Sequence, residues 1–204
     1  MKNIIGIVGS TYSKSTNRLL LQFIQKRYSN GEQVQIELVP LDKLPLFDKP
    51  ADRKIPAVAQ TISDKIEAAD GVIIAIPEYD HSVPARLSNA LAWLSYTTHP
   101  FIDKPVMITG ASYGSLGSSR AQAHLKQILD SPELGALTMP SSEFLLARSL
   151  QAFNEDGAIT DQATLDYLDR VFANFMIFMD IAAQLKHTVV KDKEKVQSFS
   201  WDNI

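Results

Sequence analysis

The chain has 204 residues, enough for one domain with at most an appendage, and 45% of them are hydrophobic, as a soluble protein with a substantial core requires. Its 20 Lys and Arg against 23 Asp and Glu give a formal charge of -3, too balanced for nucleic-acid binding or for docking by strong acidic steering. There is no cysteine and the four histidines are scattered, which argues against a disulfide framework and a clustered metal site.

The apolar run at residues 3–8 predicts a first strand, closed by Gly9 and Ser10, and reads as the start of the fold rather than a leader. The small, hydroxylated loop GSTYSKSTN follows, and then a helix with Leu19, Leu20, Phe23 and Ile24 on its apolar face; Asn17 or Thr16 is its candidate N-cap. A second strand is expected at 34–40, entered through the Asn30-Gly31 turn. Pro45, Pro50 and Pro56 make 41–56 a loop, and a helix at 57–69 comes next.

The continuous apolar run from Val72 to Ile76 is the pattern of a strand buried on both faces of a parallel sheet. It breaks at Pro77 into a polar loop carrying Glu78, Tyr79, Asp80, His81 and Ser82. Pro84 then opens a helix with Leu87, Ala90, Leu91 and Leu94 at helical spacing, where Trp93 is assigned to packing. A fourth strand at 106–110 leads to another small-residue loop, 111–117, and a helix through Ala121, Leu125, Ile128 and Leu129, capped by Ser118 or Ser119. A short last strand is expected at 134–139, irregular chain at 144–157, and a closing helix from a Thr160-Asp161 cap to about Lys186. That helix includes the apolar stretch 171–185, which is shorter than the ~20 residues of a membrane span and is interrupted by Asn174 and Asp180. Residues 187–204 are read as a flexible tail beyond a domain at 1–186, with Phe199 and Trp201 as the side chains able to pack on a neighbour.

Five strands alternating with helices predict a doubly wound α/β fold of the flavodoxin-like kind. Its parallel sheet has order 2-1-3-4-5, helices on both faces and a crevice between the first and third strands. The loops at Ser10, Pro77 and Ala111 then converge on one edge of the sheet. The first loop has the make-up of a phosphate cradle, hydroxyls and backbone N–H groups at a helix start, although a helix-capping loop would have the same composition. It has neither the Gly-Lys-Ser/Thr end of a Walker loop nor the three glycines of a dinucleotide fingerprint. Asp80, His81 and Ser82 are sequence neighbours, and neighbours rarely make a hydrolytic set, which has to converge in space.

The second loop and its helix, IPEYDHSVPARLSNALAWLS, resemble the PEYN-x-S-x-P-G-x-L-K-N-A-x-D-W motif of the NADPH-dependent FMN reductase family, which includes quinone, azo-dye and chromate reductases. The first loop is similar to that family's G-S-x-R-x-x-S-x-N run, and Leu44 to Asp48 to its LPLY(N/D) segment. Likeness extends through Arg120-Ala-Gln122, 125–129 and 157–162, and so from Asn3 to about Leu185. The resemblance implies that Ser10, Ser15, Thr16 and Asn17 hold the FMN phosphate, and Tyr12 in the same loop is a further cofactor-binding candidate. Pro77, Glu78, Tyr79, Asp80 and Ser82 would run along the isoalloxazine, mainly through backbone groups, and Ser112, Tyr113 and Gly114 would line its other side. Tyr12 stands where the family usually has Arg, Asp80 where it has Asn, and Ala85 where it has Gly. The first change removes a cation that would neutralise phosphate, and the second sets a carboxylate near the ring, opposing an anionic reduced flavin.

The implied activity is hydride transfer from NADPH or NADH through FMN to a quinone, azo compound, flavin or similar acceptor. The flavin carries that chemistry, so no catalytic side chain and no metal are assigned. The resemblance also implies a homodimer or homotetramer in which a second subunit helps wall the flavin, while the balanced charge and the short, interrupted apolar stretch lead to the expectation of a cytoplasmic protein without nucleic-acid or membrane partners. Arg120, His124 and Glu143 are candidates for pairing across subunits or for solvation. The alternative from another class is a flavodoxin-like electron carrier without NAD(P)H turnover.

Overall fold

Each apolar run divides its side chains between two covered faces of one sheet. The fold is that of a computed structural model, which describes residues 1–140 and 143–198, with side chains of the last helix described to residue 185 and at 198. The elements are β1 (Lys2–Val8), α1 (Thr16–Tyr28), β2 (Val34–Val39), α2 (Ala57–Ala68), β3 (Gly71–Ala75), α3 (Ala85–Thr97), β4 (Pro105–Ala111), α4 (Ser119–Leu129), β5 (Leu137–Thr138), β6 (Phe144–Leu146), α5 (Ser149–Ala152) and α6 (Gln162–Ser198). Val72, Ile74 and Ile76 join Val106 and Ile108 in a core beneath α2, α3 and α4. Ile73, Ala75 and Met107 face the other way, into a core with Leu20, Leu21 and Ile24 of α1 and Leu168, Phe175 and Met179 of α6. An all-apolar strand is what such two-sided burial demands.

The strand order is β2-β1-β3-β4-β5, with the pairs around β1, β3 and β4 all parallel, so the expected doubly wound topology is present. Its far edge differs from the expectation. The last strand is only Leu137–Thr138, alongside Pro105 and Val106. A sixth strand, β6, falls in the segment read as irregular and pairs with β4 from Thr109 to Ala111. Three residues carry too little periodicity to announce a strand; the exposed edge of β4 makes them one.

Other departures are local. Ser15, not Asn17 or Thr16, caps α1, accepting a 3.4 Å bond from the Arg18 N–H. Ser118 precedes α4 in a left-handed conformation (φ 68°), and its hydroxyl makes no cap bond. Asp161 does cap α6, accepting from the Thr164 N–H at 2.8 Å. Trp93 is buried, as assigned, and its Nε1 donates to Pro45 O at 3.0 Å, fixing the proline-rich loop on α3.

Helix α6 runs to Ser198, past the expected end near Lys186, while Phe199 and Trp201 lie outside the described residues. Its 171–185 stretch is amphipathic: Val171, Phe172, Phe175 and Met179 are buried, and Ile177 and Ile181 are exposed. Among the described residues no helix is long and apolar enough to cross a membrane, and no cluster of metal-ligating side chains occurs.

Candidate functional site

The turn after β1 and the turn after β3 meet at the carboxyl edge of the sheet. Ser10 Oγ lies 3.3 Å from the Tyr79 hydroxyl. Between these turns and the loop after β4 is an open cavity of about 550 Å³. Tyr12, Ser15, Thr16 and Asn17 line it from the first loop, Pro77, Glu78 and Tyr79 from the second, and Ser112, Tyr113 and Gly114 from the third. Ten of the thirteen residues singled out from the sequence therefore surround one space, whose rim carries the exposed rings of Tyr12, Tyr79 and Tyr113.

Ser10, Asp80 and Ser82 are not part of that lining, each for a visible reason. The buried Ser10 hydroxyl accepts the Tyr12 N–H at 3.2 Å and meets Tyr79. Asp80 and His81 form the tip of a tight turn closed by the Ser82 N–H to Tyr79 O bond of 2.9 Å, both with positive φ (50° and 62°). Two left-handed residues in succession define a type I′ turn, and Asp and His are among the non-glycine residues that tolerate it best. Ser82 Oγ is 2.8 Å from His124 Nδ1 of α4 and so ties the turn to that helix.

At the start of α1, the Ser15 and Thr16 hydroxyls stand beside the N–H groups of Thr16 and Asn17, which have no acceptor within the chain among the described residues. Free N–H groups at a helix N-terminus are an anion site. The Asn17 side chain plays a different part from the phosphate contact expected of it. Its Nδ2 donates to Ala111 O and its Oδ1 accepts the Ala111 N–H, both at 2.8 Å, clamping the first loop to the end of β4. In the second loop the Tyr79 N–H is already given to Ser82 O, and in the third the Ser112 N–H to Leu146 O. The N–H groups of Glu78, Tyr113 and Gly114 are left for a ligand among the described residues.

The Glu78 carboxylate turns away from solvent to α4, with its side chain only 8% exposed. It accepts the Arg120 and Ala121 N–H groups at 3.0 and 3.3 Å and pairs with the Arg120 guanidinium, so it caps the helix that Ser118 leaves uncapped. Arg120 therefore belongs to the cavity wall, and its partner is Glu78 of the same chain; Glu143 likewise pairs with Lys126 at 2.7 Å. Two further lining residues, Ser118 and Arg120, depend on how α4 docks, and three more, Ala111, Ser115 and Leu116, belong to the third loop, of which the resemblance pointed only to Ser112, Tyr113 and Gly114.

Burial pushes the Glu78 carboxyl upward, and the Arg120 hydrogen bond with the two helix N–H groups more than reverses this, holding it below its ordinary value of 4.5. A carboxyl lowered by folding contributes its full stability above that ordinary value and loses it as acid protonates the folded form. Glu78→Gln should cost about 1–2 kcal/mol at neutral pH, the half-exposed Arg120 screening the pair. Thermal melts taken down through pH 4.5 should show the wild type losing its advantage over Glu78→Gln; parallel curves would contradict it.

Comparison with known proteins agrees with this geometry. Residues 2–151 match the family model described as NADPH-dependent FMN reductase. The chain is 50% identical over 201 residues to the NADH:(hydroxy)cinnamate reductase subunit CrdA of Vibrio ruber, covering 98% of this chain and 97% of that one. It is 38% identical over 186 residues to the NADH-dependent flavin reductase subunit 2 of Lactobacillus johnsonii, covering 88% and 98%. Among solved structures it is similar to FerB, a flavoenzyme NAD(P)H:(acceptor) oxidoreductase from Paracoccus denitrificans, with TM-score 0.73, 26% identity and coverage of 90% and 98%. An open cleft at the switch point of the sheet, free N–H groups at the start of α1 and this kinship converge: the chain belongs to the NADPH-dependent FMN reductase family and is an FMN-dependent NAD(P)H oxidoreductase.

Proposed function

We propose that this oxidoreductase uses NADH as its donor and a flat aromatic or quinonoid molecule as its acceptor, both entering by the open side of the cavity that Tyr12, Tyr79 and Tyr113 rim. The observation that carries the reading is the meeting of the Ser10–Asn17 and Pro77–Ser82 turns around one open cavity. FMN, when bound, supplies the two-electron relay between nicotinamide and acceptor. The Ser15 and Thr16 hydroxyls, with the N–H groups of Thr16 and Asn17, hold its phosphate. Pro77 to Tyr79 and Ser112 to Gly114 would hold its ring, and the free N–H groups of Glu78, Tyr113 and Gly114 would supply hydrogen-bond donors to it.

No side chain is required as acid or base. Arg120 keeps a positive charge at the cavity wall, and Glu78 fixes its position. The Vibrio ruber and Lactobacillus johnsonii relatives are both NADH enzymes by name, which favours NADH over NADPH. Both are also named as subunits, which favours a second reading in which electrons pass to a partner polypeptide. With one face of the site exposed, a homodimer or homotetramer would complete the wall, and a cytoplasmic setting without nucleic-acid partners fits the small net charge.

The test is spectroscopic and kinetic. Protein purified with FMN should be yellow, NADH should bleach it anaerobically, and NADH should show the larger kcat/KM against quinone, azo and flavin acceptors. Gly114→Val is the control, since a Cβ at Gly114 meets nothing of the protein within 4 Å while the residue borders the cavity. It should melt like the wild type yet bind FMN about tenfold or more weakly. Protein that takes up no FMN, or reduced protein obtained only with NADPH, would overturn the assignment or its donor.

A further inference from the structure

Arg120, the guanidinium in the cavity lining, is paired with Glu78, so the hydroxyls and N–H groups at the start of α1 have no unpaired cation beside them in that lining. Tyr12 occupies the place where the resemblance would put an arginine. At this helix start, Thr16 Oγ1 lies 2.9 Å from Ser149 Oγ, and both residues are buried. The Ser149 N–H donates to Ser112 O at 2.9 Å, and the Arg148 N–H donates to Gly114 O at 2.8 Å. Residues 148 and 149 are thus clasped between the first and third loops, the two that bracket the cavity.

Arg148 itself is exposed and has a left-handed backbone (φ 48°), a costly conformation for a side chain of this size. Its guanidinium makes no hydrogen bond or ion pair among the described residues. Lys14 and Arg18 are the other cations near the first loop, but both belong to that loop and its helix alone. Arg148 comes from outside that loop, and it is tied by its own backbone to one lining residue, Gly114, and through its neighbour Ser149 to another, Thr16.

We propose that Arg148 is the phosphate-neutralising residue of this chain, supplying from the segment after β6 the charge that Tyr12 does not supply from the first loop. The inference rests on the FMN reading above. A planar guanidinium can grip phosphate oxygens through two parallel hydrogen bonds, and it keeps its charge at any working pH.

The experiment titrates the flavin-stripped full chain with FMN and with riboflavin, which lacks the phosphate, following quenching of flavin fluorescence. Arg148→Gln should weaken FMN about tenfold or more, leave riboflavin unchanged and flatten the salt dependence of FMN binding. Arg148→Gly, which suits the left-handed backbone, should lose FMN to the same degree with an undiminished melting temperature. Arg148→Lys should fall between, and Lys14→Gln and Arg18→Gln should stay within about threefold of wild type. The proposal is overturned if both neutral variants at 148 bind FMN like wild type, if riboflavin is weakened equally, or if Lys14→Gln or Arg18→Gln causes the main loss. A wild type that binds neither flavin overturns the FMN reading itself, and this one with it.

Discussion

Asn17→Ala should destabilise the protein by about 2–5 kcal/mol and weaken FMN binding as well, although the Asn17 side chain is not placed on the phosphate. The amide is buried, 2% exposed, and both of its ends are spent on Ala111, giving one bond to the carbonyl and taking one from the N–H. Alanine would leave a buried donor and a buried acceptor without partners, at about 1–3 kcal/mol each, in addition to the cavity left by the missing atoms. Ala111 is the last residue of β4 and leads into the Ser112–Gly114 wall, so the loss loosens two sides of the site together. Asn17→Asp tests one half of the clamp: a carboxylate can still accept the Ala111 N–H but meets the Ala111 carbonyl with negative charge. Urea unfolding and FMN titration of both variants check this. An alanine variant within about 0.5 kcal/mol of wild type would show that the clamp contributes nothing.

Gly110→Ala should be at least as damaging, at about 3 kcal/mol or more. Gly110 points toward the face of the sheet on which α4 begins. A Cβ there would lie 2.0 Å from Ser118 Oγ and 2.4 Å from Ile76 O. Ser118 is completely buried and left-handed, and Ile76 O belongs to the chain just before the second loop, so neither neighbour can simply step aside. The strand and the helix start must separate, taking Arg120 and its bond with Glu78 away from the cavity. The expected signature is a lowered melting temperature together with weaker flavin binding. Full stability in this variant would mean that α4 can shift without cost, and that Arg120 has no fixed place in the site.

The two variants act through the same design. Neither acts through a side chain on the ligand; each holds one loop against another, and the cavity is the space those contacts keep open. Glu78 works similarly, its carboxylate capping α4 rather than facing the cavity. Stability and cofactor binding should therefore move together for Asn17, Gly110 and Glu78, and apart for Gly114 and Arg148, which border or adjoin the space without bracing it.

Much of this molecule is written locally in its sequence. The apolar runs at β1, β3 and β4, the helical spacing at Leu87, Leu91 and Leu94, and the small-residue turns at Ser10, Pro77 and Ala111 record burial and backbone preference within a few residues. From these the doubly wound fold and the meeting of three loops could be read, and the family resemblance then implied ten of the residues that line the cavity. Whatever depends on a distant partner could not be: β6 is a strand only because β4 offers it an edge, and Glu78 is a cap only because α4 arrives beside it. Asn17 and Ser149 look like ordinary loop and turn residues until Ala111 and Thr16 come within hydrogen-bonding distance. Periodicity reports which side of an element is dry, whereas the choice of partner for a polar side chain is settled by the packing of the whole sheet and its helices. That is why the location of the site was legible along the chain, and the bonds that hold it open were decided only by the tertiary fold.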